Sequence, residues 1–327
     1  MAAYRILSLD GGGIRGLLTA IMLERIVKRV PDFLTKVDLI AGTSTGGILA
    51  LGLAAGLTPT DLKQLYLDKG RFIFEDSLSD DIIDFGTLRG AQYDLDHLAQ
   101  AAGERLDNKR LKDLIKKVLI PSFDLDNKDG KTGPLDPDAS EPRTWKPKFF
   151  HNFEGTDQKD GDLLAVQVLL YTSAAPSYFP SKDGYVDGGV VANNPSMAAL
   201  AQALDSRNTF NPPASQPQLS DISLLSLGTG RMFRFIESGP GKDIDWGILQ
   251  WARPIINVML DGLSGVADFQ CRQLLGDKYH RLAPEFSENF VMELDDVDKM
   301  PDLAKFAKSA AVTNQVDTAI NWLKTAW

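Results

Sequence analysis

Two glycine-dense turns hold the residues of this 327-residue chain that could do chemistry. The first reads Asp10-Gly11-Gly12-Gly13-Ile14-Arg15-Gly16, and the second Gly42-Thr43-Ser44-Thr45-Gly46-Gly47. The first fits G-x-G-x-x-G between a strand and a helix, the setting of a dinucleotide site. Its physical content is broader. Glycines let backbone approach an anion, and a helix start offers unpaired N–H groups and positive potential. A phosphate and an oxyanion would satisfy it equally. The second turn fits G-x-S-x-G in the same strand-to-helix setting, where small neighbours allow a bend tight enough to push the serine into the open. A third motif, Asp187-Gly188-Gly189, places a carboxylate beside two glycines. Alone it is a common turn tripeptide.

A nucleophilic serine needs a base. The chain has three histidines, His97, His151 and His280. His280 follows Asp187 and formally completes a Ser…Asp…His order. Hydrolases of that order, however, set several strands before the nucleophile, and here one strand precedes Ser44. His97 and His151 carry no motif. All three read as structural or surface residues, which leaves a carboxylate as the base. A nucleotide-binding protein using Gly11–Gly16 is the other alternative. It needs an acid at the end of the second strand, about twenty residues past the glycines, to hold a ribose. That strand ends instead in Gly42-Thr43-Ser44.

The elements that must position these residues follow from hydrophobic spacing. Residues 4–9 read as a buried strand, 16–30 as a helix stopped by Pro31, 37–41 as a second strand and 48–55 as a small apolar helix. Thr58-Pro59-Thr60-Asp61 opens another helix. Residues 109–117 (KRLKDLIKK) read as a solvated helix face. Residues 162–173 form a helix in the core, 184–191 two strand pieces around a turn, and Pro195 begins a further helix. Residues 222–227 are a buried strand ending in Gly228-Thr229-Gly230, and the remainder is mainly helical, with a long segment at 246–275. Strand, glycine turn and helix in alternation is an α/β pattern with a largely parallel sheet. Active sites in such sheets lie at the carboxyl ends of strands, where both glycine turns fall. Residues 124–147, rich in Asp, Lys, Gly and Pro, read as an exposed excursion. Its DNKDG resembles the start of a calcium loop, but the closing acid is missing, so an ordinary turn is expected.

Composition narrows the partners. A net charge of −9 without a strong basic patch excludes sequence-independent nucleic-acid binding. The single cysteine, Cys271, permits neither an intrachain disulfide nor a cysteine metal site. The leading apolar run lacks the parts of a signal peptide, and the uncharged stretches 39–60 and 163–181 are broken by glycines or prolines. A cytoplasmic location is the expectation.

Taken in order, these motifs resemble the patatin-like phospholipase family. The likeness rests on DGGGIRG at 10–16, GTSTGG at 42–47 and DGG at 187–189. It extends to Asp38-Leu39-Ile40-Ala41, to TSAAPSYFP at 172–180 and to Ala192-Asn193-Asn194-Pro195, and covers residues 4–199. The resemblance implies a three-layer α/β/α, modified α/β-hydrolase-like fold with a largely parallel central sheet. It implies Ser44 as nucleophile, Asp187 as base, and an oxyanion hole from Gly11, Gly12 and Gly13 helped by Arg15. Neither a metal nor an organic cofactor is implied. The substrate class would be a lipid ester (phospholipid, lysophospholipid or galactolipid), met at a transient membrane contact. Residues 1–327 are expected to form one compact unit, with 200–327 completing a catalytic segment at 4–199. Two departures stand out: Gly189 occupies a position where many relatives have alanine, and the 124–147 excursion has no counterpart.

Overall fold

In a computed structural model of the chain the described residues are 3–73, 93, 95–106, 108–127, 143–155, 158–210, 216–251 and 254–327. The first half runs β1 (Tyr4–Leu9), α1 (Gly16–Arg29), β2 (Leu39–Gly42), α2 (Thr45–Ala54), α3 (Pro59–Ile73), α4 (Leu95–Leu106), β3 (Lys117–Asp124) and β4 (Lys146–His151). It continues through α5 (Ala165–Ser173), β5 (Tyr185–Asp187), α6 (Gly189–Ala192), α7 (Ser196–Ala203) and β6 (Ile222–Leu227). The last stretch holds α8 (Ile248–Trp251), α9 (Pro254–Leu275), β7 (Tyr279–Leu282), α10 (Met300–Phe306) and α11 (Ala310–Ala326).

The strands form one sheet in the order β4-β3-β2-β1-β6-β7, with β5 also on β3. β2, β1, β6 and β7 are parallel to their neighbours, as are β2 and β3, while β4 and β5 run antiparallel to β3. Strands buried on both faces read as continuous apolar runs, which is why YRILSL and ISLLSL were legible. The two faces then sort by the period of two. Ile6, Leu39, Ala41, Leu119 and Leu224 pack with Leu200 of α7 and Cys271 of α9. Leu7, Leu9, Ile40, Val118, Ile120 and Leu225 pack with α1, α2, α5 and α11 on the other side. Helices on both faces make the three-layer α/β/α arrangement. No helix among the described residues is long and apolar enough to cross a membrane.

Several local expectations are corrected. The 109–117 segment is not a helix face: a single 3-10 turn, Leu111–Asp113, leads straight into β3. Its apolar run is too short, set between lysines and Pro121, to show a strand period. Residues 184–191 are one strand, β5, followed by the helical turn α6, because the chain bends at Gly188 and Gly189. The last third is mainly helical, as expected, with one short strand, β7, that extends the sheet beside β6. α2 begins at Thr45, three residues early, so Gly46 and Gly47 lie inside its first turn. Of the 124–147 excursion, 128–142 lies outside the described residues, and its ends belong to β3 and β4.

Candidate active site

β1 and β2 are in register from Ile6↔Leu39 to Leu9↔Gly42, so both glycine turns leave the sheet at the same edge. Ser44 sits at φ 54°, ψ −123°, a backbone conformation that costs a non-glycine residue about 1–3 kcal/mol. The surroundings impose it. The Thr43 N–H donates to Leu9 O at 3.1 Å, and the Gly46 N–H to Thr43 O at 2.8 Å. The Thr43 hydroxyl donates to Ala192 O at 2.6 Å. The Ser44 N–H donates to the Thr172 hydroxyl at 3.0 Å, and that hydroxyl donates to Pro121 O at 2.6 Å. Small residues are required here: a Cβ on Gly42 would lie 2.1 Å from Gly46 O, and one on Gly46 2.2 Å from Leu9 O. This is a strained, tight strand-to-helix bend of the geometry that a nucleophile elbow requires.

Asp187 arrives by a different route, and β3 sets where it stops. β4 occupies one edge of β3 along residues 119–124, so β2 and β5 must share the other. Ala41 of β2 lies opposite Leu119, and Asp187, the last residue of β5, opposite Ser122. β2 therefore points at β5 head-on across three residues of β3, about 10 Å. Gly42, Thr43 and Ser44 fill that gap. Ser44 and Asp187 line the same cavity, and the Ser44 side chain is near enough to favour the ionised Asp187 carboxylate. The Gly189 N–H donates to Asp187 Oδ1 at 2.6 Å, and the Asp187 N–H donates to Ala174 O at 2.9 Å. Asp187 is 5% exposed, and burial pushes its carboxyl up to about 6, against the lowering effect of Ser44 and of the Gly189 N–H. A carboxylate in that range is ionised at neutral pH yet a far better base than a free aspartate.

The first glycine turn closes over the same place. Gly11 donates its N–H to Asn193 O at 3.0 Å, so that amide, expected in the oxyanion hole, is already engaged, and its carbonyl accepts the Thr229 hydroxyl at 3.0 Å. Gly12 and Gly13 follow, with Gly13 at φ 57° and so close to Leu294 O that a Cβ would lie 2.1 Å from it. Arg15 Nε donates to Gly12 O at 3.3 Å. Burial and the neighbouring Arg234 lower the Arg15 guanidinium to about 10, with Asp261, Glu293 and Tyr178 opposing. It remains charged at neutral pH. Beneath the turn, Arg281 of β7 holds Asp10 through two bonds, 3.2 and 2.5 Å, and donates to the Ser226 hydroxyl at 2.7 Å. The pair is almost wholly shielded from water.

Ser44, Asp187, Gly11, Gly12, Gly13 and Arg15 all line one cavity of about 490 Å³, together with apolar side chains such as Ile48, Phe179, Met232 and Leu260. Its size and lining suit a small organic ligand or an acyl chain. None of the three histidines lines it. His280 stacks on Trp322 at 5.4 Å, and burial and Arg272 lower its pKa. His97 stacks on Phe72 at 4.2 Å, and His151 Nδ1 accepts the Phe153 N–H at 3.3 Å.

Sequence reasoning missed four residues that hold this arrangement. Thr172 and Asn193 lie in TSAAPSYFP and ANNP, stretches singled out for their likeness, but without a role. Thr229 follows the β6 strand in Gly228-Thr229-Gly230, where only a glycine turn was legible. Arg281 had no signal at all: the buried Asp10 demands a cation, but nothing local says which.

A family model described as patatin-like phospholipase matches residues 7–200, more than half of the chain. A cGAMP-activated phospholipase of Vibrio cholerae is 35% identical over 251 residues, which are 69% of this chain and 64% of that protein. The chain thus spans under two thirds of that relative's length. Protein teg of Priestia megaterium is 30% identical over 308 residues, covering 87% of this chain and 88% of its own. Among solved structures, VipD from Legionella pneumophila aligns with 97% of this chain and 67% of its own at 12% identity and a TM-score of 0.44. On the family match and these two sequence relatives, the chain belongs to the patatin-like phospholipase family.

Proposed function

We propose that the chain is a lipid acyl hydrolase, of phospholipase A or lysophospholipase type, that works through an acyl-enzyme on Ser44 with Asp187 as its base. The observation that carries this reading is that Ser44, on its strained bend, and the buried Asp187 line one apolar-rich cavity, with the Asp187 carboxyl raised to about 6. Ser44 Oγ attacks the ester carbonyl and gives its proton to Asp187. The oxyanion is held by the amides of Gly12 and Gly13, with Gly11 completing the turn and the Arg15 charge close by. Losing one such donor typically costs about 3 kcal/mol of barrier. The tetrahedral adduct collapses, the ester C–O bond breaks, and the leaving alcohol or lysolipid takes the proton from Asp187. Water then gives a proton to Asp187, attacks the acyl carbon and releases the fatty acid, and the proton returns to Ser44 Oγ.

Residues 200–327 belong to this unit in the same proposal. Thr229 and Arg281 lie beyond the matched segment, yet both hold the glycine turn. The test is a panel of phospholipid, lysophospholipid and galactolipid substrates offered to the wild type, Ser44→Ala and Asp187→Asn, with fluorophosphonate labelling of Ser44. Each variant should stay folded and lose hydrolysis, and Ser44→Ala should lose the label. Hydrolysis that survives in Ser44→Ala would sink the proposal.

A further inference from the structure

Large apolar side chains left exposed are not spread evenly over this molecule. Among the described residues eighteen are exposed, and twelve of these fall between residues 233 and 274. Ile248 and Leu249 of α8 are 89% and 90% exposed, and Phe235 is 88% exposed. Soluble proteins rarely leave so large an apolar patch open without a use for it.

These exposed side chains share their segments with the lining of the cavity that holds Ser44. Two segments carry both. Along 232–235 the residues alternate: Met232 and Arg234 line the cavity, while Phe233 and Phe235 are exposed. Along α9, Ile256, Leu260 and Ser264 line the cavity at helical spacing, and Ile255, Met259 and Val266 are exposed beside them. α8 directly precedes α9, and Trp246 and Trp251 meet edge-to-face at 5.3 Å in the same stretch. The walls of the cavity thus have apolar outer faces.

Charge says what kind of surface fits. The described cations of this region are each matched: Arg231 with Glu285, Arg234 with Glu293, Lys242 with Glu237 and Arg272 with Asp268. The whole chain carries −9. An anionic surface would find no attraction here, and its field would oppose approach. A second copy of the chain, or another protein, seated on this face would stand over the cavity through which a substrate must reach Ser44. A lipid aggregate would instead deliver the substrate.

We infer that the face formed by residues 233–235, α8 and the outer side of α9 docks on lipid surfaces with uncharged or zwitterionic headgroups, bringing the cavity mouth against them. This rests on the lipid-hydrolase reading above. Burial of apolar side chains drives the docking, so it should be insensitive to salt, unlike docking by a basic patch.

The test uses the full chain and vesicles of palmitoyl-oleoyl phosphatidylcholine, in sedimentation assays at low and at 0.5 M salt. The wild type should pellet with the vesicles at both. Ile248→Asp/Leu249→Asp should weaken partitioning about a hundredfold, since full burial of each side chain is worth at least about a factor of ten. Hydrolysis of a soluble short-chain ester, measured on the same samples, should stay within twofold. Ile115→Asp alters a side chain that is 68% exposed just before β3, at the sheet edge away from Ser44, and should leave vesicle binding intact. If the wild type hydrolyses the soluble ester but ignores the vesicles, the docking face is wrong and the dyad stands. If light scattering finds a dimer that the double variant abolishes, without vesicle binding, the face serves a second copy and the inference fails. Vesicle binding lost in the double variant, with no ester hydrolysed by any sample, would support the face and refute the hydrolase reading.

Discussion

Replacing Arg281 by methionine should destabilise this protein by an amount that depends on pH, and the structure sets the size. Asp10 is 4% exposed, and Arg281 supplies the charge and both side-chain bonds that hold it. Burial works against both ions, but the charge and bonds of Asp10 hold the Arg281 guanidinium above its ordinary range. Methionine keeps most of the stem and removes the charge. The stranded carboxylate then has one cheap escape, which is to take up a proton. From an ordinary value of 3.8, protonating it at pH 7 costs about 4 kcal/mol at 1.36 per pH unit. That ceiling sits within the roughly 3–5 kcal/mol expected when one partner of a buried pair is removed. At pH 5 the same cost falls to about 2 kcal/mol.

The sign follows from linkage. An unpaired, buried Asp10 has a folded-state pKa above its unfolded value, so the folded state binds the extra proton. The penalty is absent below the unfolded pKa and grows as pH rises through the window up to the folded one. Asn at position 10 cannot ionise in either state. In the Arg281→Met background, Asp10→Asn should therefore restore about 4 kcal/mol at pH 7 and about 2 at pH 5. Urea denaturation of the single and double variants at both pH values measures it, and initial rates on a soluble ester report whether the turn that starts at Gly11 recovers too. A double variant no more stable than Arg281→Met, or a benefit equal at both pH values, would refute the idea that a buried, uncompensated carboxylate is what fails.

Other expectations are shorter. Gly42→Ala should cost about 1–3 kcal/mol or more by overpacking, because its Cβ would stand 2.1 Å from Gly46 O, and it should also remove activity by moving Ser44; chemical denaturation and ester assay read both. Asp187→Asn should abolish turnover yet raise stability at pH 8 by up to about 3 kcal/mol, since a carboxyl raised from 3.8 to about 6 opposes folding at high pH. The acid limb of kcat/KM should fall near pH 6, where Asp187 loses the charge that lets it accept the Ser44 proton. Because an imidazole also titrates there, the limb is read alongside His97→Gln, His151→Gln and His280→Gln, each of which should keep turnover within several-fold. A folded His280→Gln enzyme slowed a thousandfold would restore a Ser…Asp…His reading.

What the sequence disclosed, and what it hid, divides along a physical line. Local patterns were legible. The buried strands β1 and β6, the helix α1 closed by Pro31 and the two glycine turns each announce themselves within about ten residues. Ser44 was legible because its bend needs glycines that leave a mark in the sequence. Asp187 was legible only through its company, since an Asp-Gly pair occurs in any turn. What stayed hidden is what long-range contact decides. β3 shows no period, because lysines and a proline bound its short apolar core. β7 carries no strand signal of its own, and β6 gives it an edge to pair with. Arg281 reads as one arginine among many until Asp10, 271 residues away along the chain, is buried against it.

The proposed dyad depends on the least legible of these strands. A serine and an aspartate need no third side chain if the backbone fixes both, and β3 does so from one edge. It pairs β2 through Leu119 and β5 through Ser122, so the distance between the two chain ends is set by the pitch of a strand rather than by packing of flexible side chains. Thr172 then ties the two halves together: its hydroxyl takes the Ser44 N–H and donates to Pro121 of β3, and its carbonyl takes the N–H of Gly188, next to Asp187. A register slip of one residue between β3 and β5 would turn the Asp187 side chain to the other face of the sheet. Asp187, the proposed base, is thus positioned by hydrogen-bonded register and one threonine, and Thr172→Val, which keeps the shape and removes the hydroxyl, should lower kcat while leaving KM and the acid limb in place. A change in KM alone would mean that Thr172 shapes the cavity and does not hold the nucleophile.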